Sequence, residues 1–341
     1  MTTETPTDAV REPLPLADVD LSDLDRFTDG VTPWRIFHTL RREDPVHWQP
    51  EEAPNSGFWS LTRHEDIVRV DRDAETFTST KFVNLEEVDD DQIKKRASIL
   101  ELDGVRHRAL RSLIQRQFGA NVINGSTDFL HGLTARPLDA ALAKGRFDFV
   151  EDVSADFPIN VLARLLDVPP EDNQRLIHWG NRIIGHTDPD YADVLLHSEE
   201  SERYRDLPFR SPASLEVFEY GRELARQRRG GDGTDLVSRL VNTTPRDGVP
   251  LSPAGLRQLF LLLVAGPPPF DVARRDNDHV TFGKGSPHLC LGNLLARTEI
   301  RIMFEELIPR LADIRLAGDV PRVRSHFVNG IKKLPVEVTP A

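Results

Sequence analysis

The stretch Phe282-Gly283-Lys284-Gly285-Ser286-Pro287-His288-Leu289-Cys290-Leu291-Gly292 decides how the rest is read, because it holds the only cysteine of the chain. Gly283 and Gly285 tolerate backbone angles that other residues avoid, so the loop can turn amides toward the sulfur. A long amphipathic pattern starts directly after Cys290. A helix entrance there would add unpaired N–H groups and the positive end of the helix dipole, worth about 0.3–1 kcal/mol to a nearby anion. Both features favour thiolate over thiol, and a thiolate offered from such a loop is a soft metal ligand. An ordinary free cysteine, by contrast, is a small buried hydrophobe.

Composition limits the alternatives. The chain has 341 residues, 39% hydrophobic and 29% charged, the balance of a globular protein. With 43 basic and 55 acidic residues its formal net charge is −12, which argues against a nucleic-acid partner. One cysteine rules out an intramolecular disulfide framework and fits a reducing cytoplasm. Residues 1–20 are polar and acidic, without the apolar core of a signal peptide. The longest apolar run, residues 259–265, is well short of the ~20 residues of a membrane helix, so no membrane insertion is expected.

Most of the chain carries helical spacing. Residues 1–25 read as an N-terminal arm, and residues 26–341 as a single domain. A helix over 33–43 starts with Pro33 in its first turn. Two strands follow over 46–49 and 57–62, then a helix over 64–73. Residues 81–95, with the acidic run 86–91, read as a solvated charged loop. Residues 103–118 form a helix whose apolar face includes Val105, Leu110, Ile114 and Phe118. His107 and Arg111 stand four apart on that side. They are either snorkelling side chains or an inward pair that requires an anionic partner. Helices over 126–143, 154–166, 170–185 and 212–229 follow, with a short strand at 146–150. The glycines at 230–233 lack the Lys-Ser/Thr of a phosphate loop. Thr234 or Asp235 caps the next helix. An apolar helix over 253–265 halts at Pro267-Pro268-Pro269. Residues 279–281 read as a strand into the cysteine loop. The following helix reaches about Leu311, burying Leu294, Leu295, Ile300, Met303, Phe304, Leu307 and Leu311. Asn329-Gly330 marks a hairpin turn in the C-terminal segment. The sum is a mainly α fold with a minor antiparallel β component.

Phe282-Gly283-x-Gly285-x-x-His288-x-Cys290-x-Gly292, followed by Leu295-Ala296-Arg297-x-Glu299, resembles the haem loop and following helix of the cytochromes P450. His107-x-x-x-Arg111 resembles that family's propionate-binding pair. Residues 258–266 resemble the first half of its central helix, Pro267-x-x-Phe270-x-x-x-Arg274 the segment before the haem loop, and residues 327–332 its C-terminal hairpin. The resemblance covers the chain from about residue 25. It implies a b-type haem with Cys290 as axial metal ligand, and Phe282, Gly285 and Gly292 shaping the loop. His107, Arg111 and His288 would hold the propionates. It further implies a monooxygenase that receives electrons from NAD(P)H through a reductase and a ferredoxin, and an apolar small-molecule substrate. The loop is one residue longer than in most bacterial members. With His186-Thr187-Asp188-Pro189-Asp190-Tyr191 it is similar to the group acting on steroid side chains, methyl-branched lipids and terpene alcohols.

The chain also departs from the pattern. Family members continue the central helix into an acidic residue or Asn followed by Thr, which relays protons to oxygen. Here Ala265-Gly266 runs into three prolines, and the next Thr is Thr281. The Glu-x-x-Arg motif and the strands after it have no counterpart between Gly266 and Cys290. The expected fold is therefore an incomplete cytochrome P450, with a segment missing at about 266/267 and no catalytic acid–alcohol pair to name. Two other readings stay open at this point: a peroxide-using or isomerising haem-thiolate protein, and a non-catalytic helical scaffold with Cys290 as a buried thiol. Zinc is disfavoured, because His279, His288 and Cys290 are too few to close a tetrahedral site.

Overall fold

The computed structural model describes residues 12–52, 55–264, 279–283 and 285–341. Leu14, Val19 and Leu21 pack against the first helix, α1 (Thr32–Glu43), in a small core with Phe27, Ile36 and Leu40. The chain next forms the antiparallel pair β1 (Val46–Gln49) and β2 (Phe58–Leu61), then α2 (His64–Arg72). Alternation along the pair sends Gln49 inward, where its side-chain oxygen accepts the Leu21 N–H at 2.8 Å.

The acidic run is a solvated loop only in part: Glu87, Asp89, Asp90 and Asp91 are exposed, but Glu86 is not. It leads into α3 (Asp90–Arg96), which opens with a reciprocal capping box between Asp89 and Gln92. Glu86 is buried and receives two hydrogen bonds from Arg96, at 3.0 and 2.6 Å, and one from Arg210 at 2.5 Å. A buried carboxylate is tolerable when paired this fully. Counting charges along the sequence could not reveal a partner more than a hundred residues away.

Six helices make the principal core: α4 (Gly104–Ile114), α7 (Asp156–Leu166), α8 (Asn173–Ile184), α9 (Ala213–Arg228), α10 (Leu236–Asn242) and α11 (Pro253–Val264). Between α4 and α7 come the short α5 (Ala120–Asn124) and α6 (Thr127–Leu142). Helix α11 is the central element. A Cβ on Gly221 of α9 would come to 3.0 Å from the Phe260 ring, and one on Gly180 of α8 to 3.1 Å from the Val264 carbonyl, so glycine permits both close approaches. Asp235 caps α10, accepting the Ser238 N–H at 3.0 Å.

The last helix, α12 (Asn293–Leu307), packs on α6 and α7 through Leu130, Phe157, Val161 and Ile302. Its buried face is centred on Thr298, Ile302 and Leu307, whereas Leu294, expected inside, is exposed. Pro309 lies in a single 3₁₀ turn after it, and residues 311–316 form β4 (Leu311–Leu316) rather than more helix. β5 (Pro335–Pro340) lies between β4 and β3 (Arg146–Asp148), antiparallel to both. The Asn329-Gly330 hairpin is wider than expected: Arg322 bridges Ile331, and residues 324–329 loop between. Residues 279–281 are not a strand. The expected deletion point at 266/267 and the segment 267–274 lie outside the described residues.

Candidate active site

Cys290 sits in a loop that follows the expected backbone but uses its amides differently. Gly283 and Gly285 have φ of 68° and 86°, angles that glycine adopts without strain. The amides of Gly283, Ser286, His288, Leu289 and Cys290 are all taken by oxygens of the loop itself; the Cys290 N–H donates to the Phe282 carbonyl at 2.9 Å. They satisfy the turn instead of pointing at the sulfur. The helix begins at Asn293 with Gly292 as its N-cap, and a Cβ on Gly292 would lie 3.9 Å from Cys290 Sγ. Cys290 is exposed, which overturns the buried thiol of the scaffold reading.

Helix α4 lies against this loop. His107 is 2% exposed, and its ring stacks on that of His288 with centroids 4.1 Å apart at 27°. Arg111 donates from Nη2 to the Leu289 carbonyl, one residue before the cysteine. The spacing of four thus delivers both side chains to the same place, as their shared helix face requires. Val105, expected on that face, is instead 65% exposed. Burial pulls the His107 imidazole down to about 4, helped by the neighbouring His288 and Arg111. Burial likewise lowers Arg111, against the opposing influence of Cys290. Phe282 lies under the Arg297 guanidinium, 5.1 Å from its ring centroid.

Two contributors escaped the sequence reading. Asp103 accepts from His288 Nε2 at 3.4 Å. Arg72 of α2 presses on the loop: a Cβ on Gly285 would come to 2.6 Å from its Nε. The Glu299 carboxyl is pushed up to about 7 by burial alone. Asp103 reads in sequence only as a helix start, and Arg72 as one surface arginine among several.

The comparisons follow the same lines. No family model matches the chain. A methyl-branched lipid omega-hydroxylase of Mycobacterium tuberculosis is 26% identical, across 95% of each protein. A steroid C26-monooxygenase of Rhodococcus jostii is 24% identical, over 96% of this chain and 86% of its own length. A Mycobacterium marinum cytochrome P450 solved in complex with pseudoionone superposes with a TM-score of 0.79 at 24% identity, covering 95% of this chain and 99% of that one. The chain has the fold of the cytochromes P450. As a P450 it is an oxidoreductase of the monooxygenase class, in a family whose cofactor is haem b held through a cysteine thiolate.

The donor set of this P450 fits that cofactor. A thiol stands free at the loop tip, and an imidazole pair and a guanidinium gather beside it, suited to anionic propionates. Two cavities among the described residues, about 190 and 150 Å³, lie elsewhere and touch none of these groups. Ligand sites are more often about 300–1,000 Å³. Among the described residues no helix is long and apolar enough to cross a membrane, and no group of three His, Cys, Asp or Glu is placed to hold a metal ion.

Proposed function

We propose that this P450 hydroxylates an apolar small molecule of the lipid, steroid or terpene class. Molecular oxygen is the co-substrate, and electrons arrive from NAD(P)H through a reductase and a ferredoxin, in the cytoplasm. The observation that carries the reading is the gathering of His107, Arg111 and His288 at the loop of the sole cysteine. The names of the lipid and steroid relatives support the substrate class. Cys290 would ligate the haem iron in this reading. His107, Arg111 and His288 hold the propionates by charge-assisted bonds. Phe282 shields the sulfur from water, and Gly285 and Gly292 let the backbone pass close to the ligand. The haem supplies oxygen activation when bound; the chain supplies the thiolate, the cationic end and the apolar walls.

Residues 26–341 act as one haem-binding domain, preceded by the arm 1–25 and interrupted by a missing segment at about 266/267. The omega-hydroxylase match runs over 420 positions, more than the 341 residues of this chain, although it spans 95% of both proteins. That excess supports an internal deletion. Without the acid–alcohol pair, the proton delivery that is worth about 10²–10⁴-fold in general acid catalysis is lost, so oxygen consumption outruns product. The lack of any Thr between Gly266 and Thr281 favours, as a second reading, oxidation driven by peroxide.

The deciding experiment is the carbon monoxide difference spectrum of the reduced protein. Thiolate ligation gives a strongly red-shifted Soret band; Cys290→Ala abolishes it, and Cys290→His moves it to an imidazole-type position. A haem-free protein, or a band that survives Cys290→Ala, overturns the assignment. Turnover with ferredoxin against turnover with peroxide then separates the two readings.

A further inference from the structure

The two imidazoles beside Cys290 are anchored from outside the loop by a carboxylate. Asp103 Oδ1 lies 3.4 Å from His288 Nε2. A carboxylate only accepts, so Nε2 must carry the proton. The other oxygen, Oδ2, accepts from Thr78 Oγ1 at 2.6 Å and from the Ser79 N–H at 3.0 Å. Asp103 occupies the N-cap position of α4 yet makes no capping bond with its side chain, so its acceptor capacity goes to these three donors. His288 in turn stacks on buried His107.

We propose that Asp103 is the positioning residue of the histidine stack: it fixes the tautomer and plane of His288, and through the stack the plane of His107, so that His107 and Arg111 are preorganised as the donors for an anionic group. This rests on the haem reading, where that group is a propionate carboxylate. The carboxylate acts on the ring much as an outer partner fixes a ligating histidine. Burial opposes ionisation of Asp103, but its bonds from Thr78, Ser79 and His288 prevail and hold its carboxyl below the ordinary value.

The test uses the full chain before and after addition of haemin. Nitrogen NMR of labelled histidine, at one fixed pH, should place the His288 proton on Nε2 in the haem-free protein. Asp103→Ala should leave a mixture of tautomers and alter the His107 signals. In Asp103→Asn the amide oxygen is taken by the Ser79 N–H, which leaves the NH2 facing Nε2, so the tautomer should shift toward the Nδ1–H form. Thr78→Val, which removes a bond to the other oxygen, should leave the tautomer unchanged. Haemin affinity should fall about 10–100-fold in Asp103→Ala, the usual loss of an outer-shell partner. An unchanged His288 tautomer in Asp103→Ala overturns the proposal, whatever haem does. Failure of the unsubstituted chain to take haemin overturns the haem reading, while the tautomer still decides the role of Asp103.

Discussion

Replacing Glu86 by Gln should cost far more stability than its place in an acidic run suggests. The Glu86 side chain is 3% exposed and that of Arg96 0% exposed, with a shortest N–O distance of 2.6 Å. Arg96 also lies over the Phe82 ring, 4.4 Å from its centroid. Glu86→Gln leaves Arg96 buried without a counter-charge. Arg210 loses one carboxylate but keeps Glu202. Breaking a buried pair by removing one partner typically costs about 3–5 kcal/mol, whereas replacing both partners with apolar groups is often neutral. Urea unfolding followed by circular dichroism would measure this, with Glu86→Gln, Arg96→Met and Glu86→Leu/Arg96→Met compared at equal m-value. The double variant should recover most of the loss. Burial alone would raise the Glu86 carboxyl, but Arg96 and Arg210 hold it below its ordinary value. Its contribution is therefore present above the unfolded pKa and lost as pH falls through the lower folded one. A Glu86→Gln loss under about 1 kcal/mol, the size of an exposed pair, would refute the reasoning and return the segment to solvent.

Other expectations concern titration, the C-terminal segment and the loop. His107, His186 and His326 are each held near 4 by burial, below the ordinary 6.5. The unfolded chain takes up these protons first, so stability should fall as pH drops from about 6.5 toward 4, and His186→Phe should flatten that slope in pH-dependent unfolding. Glu299 behaves oppositely. Its carboxyl stays protonated up to about 7, so stability declines as pH rises from the unfolded value toward 7, and Glu299→Gln should gain stability above it. Lys332→Met leaves the fully buried Asp188 carboxylate with only the Arg324 and Asp190 amides. It should lose about 2–4 kcal/mol and expose residues 321–334 to limited proteolysis. Gly285→Ala combines a φ of 86° with a clash against Arg72. It should cost about 1–3 kcal/mol and weaken the red-shifted band; Arg72→Ala added to it should relieve the clash but not the backbone strain.

Local signals along the chain were enough for the periodic elements and for the P450 resemblance. Helices such as Ala213–Arg228 and Pro253–Val264 were legible because apolar spacing and proline or glycine breaks are local signals. The strand pair Val46–Gln49 and Phe58–Leu61 was legible for the same reason. The cysteine loop was legible because its glycines, histidine and thiol stand in one continuous stretch. Strand Leu311–Leu316 was not: it is an edge strand with an almost wholly exposed pattern, and only pairing with Pro335–Pro340 makes it a strand. Tertiary structure alone decided that Glu86 is buried, that the loop amides serve the turn, and that Asp103 and Arg72 reach the cysteine loop from distant helices. Periodicity reports which face of an element turns inward. Which charge meets which across the fold depends on how elements pack, and a polar side chain is buried or solvated according to the partner that packing brings to it.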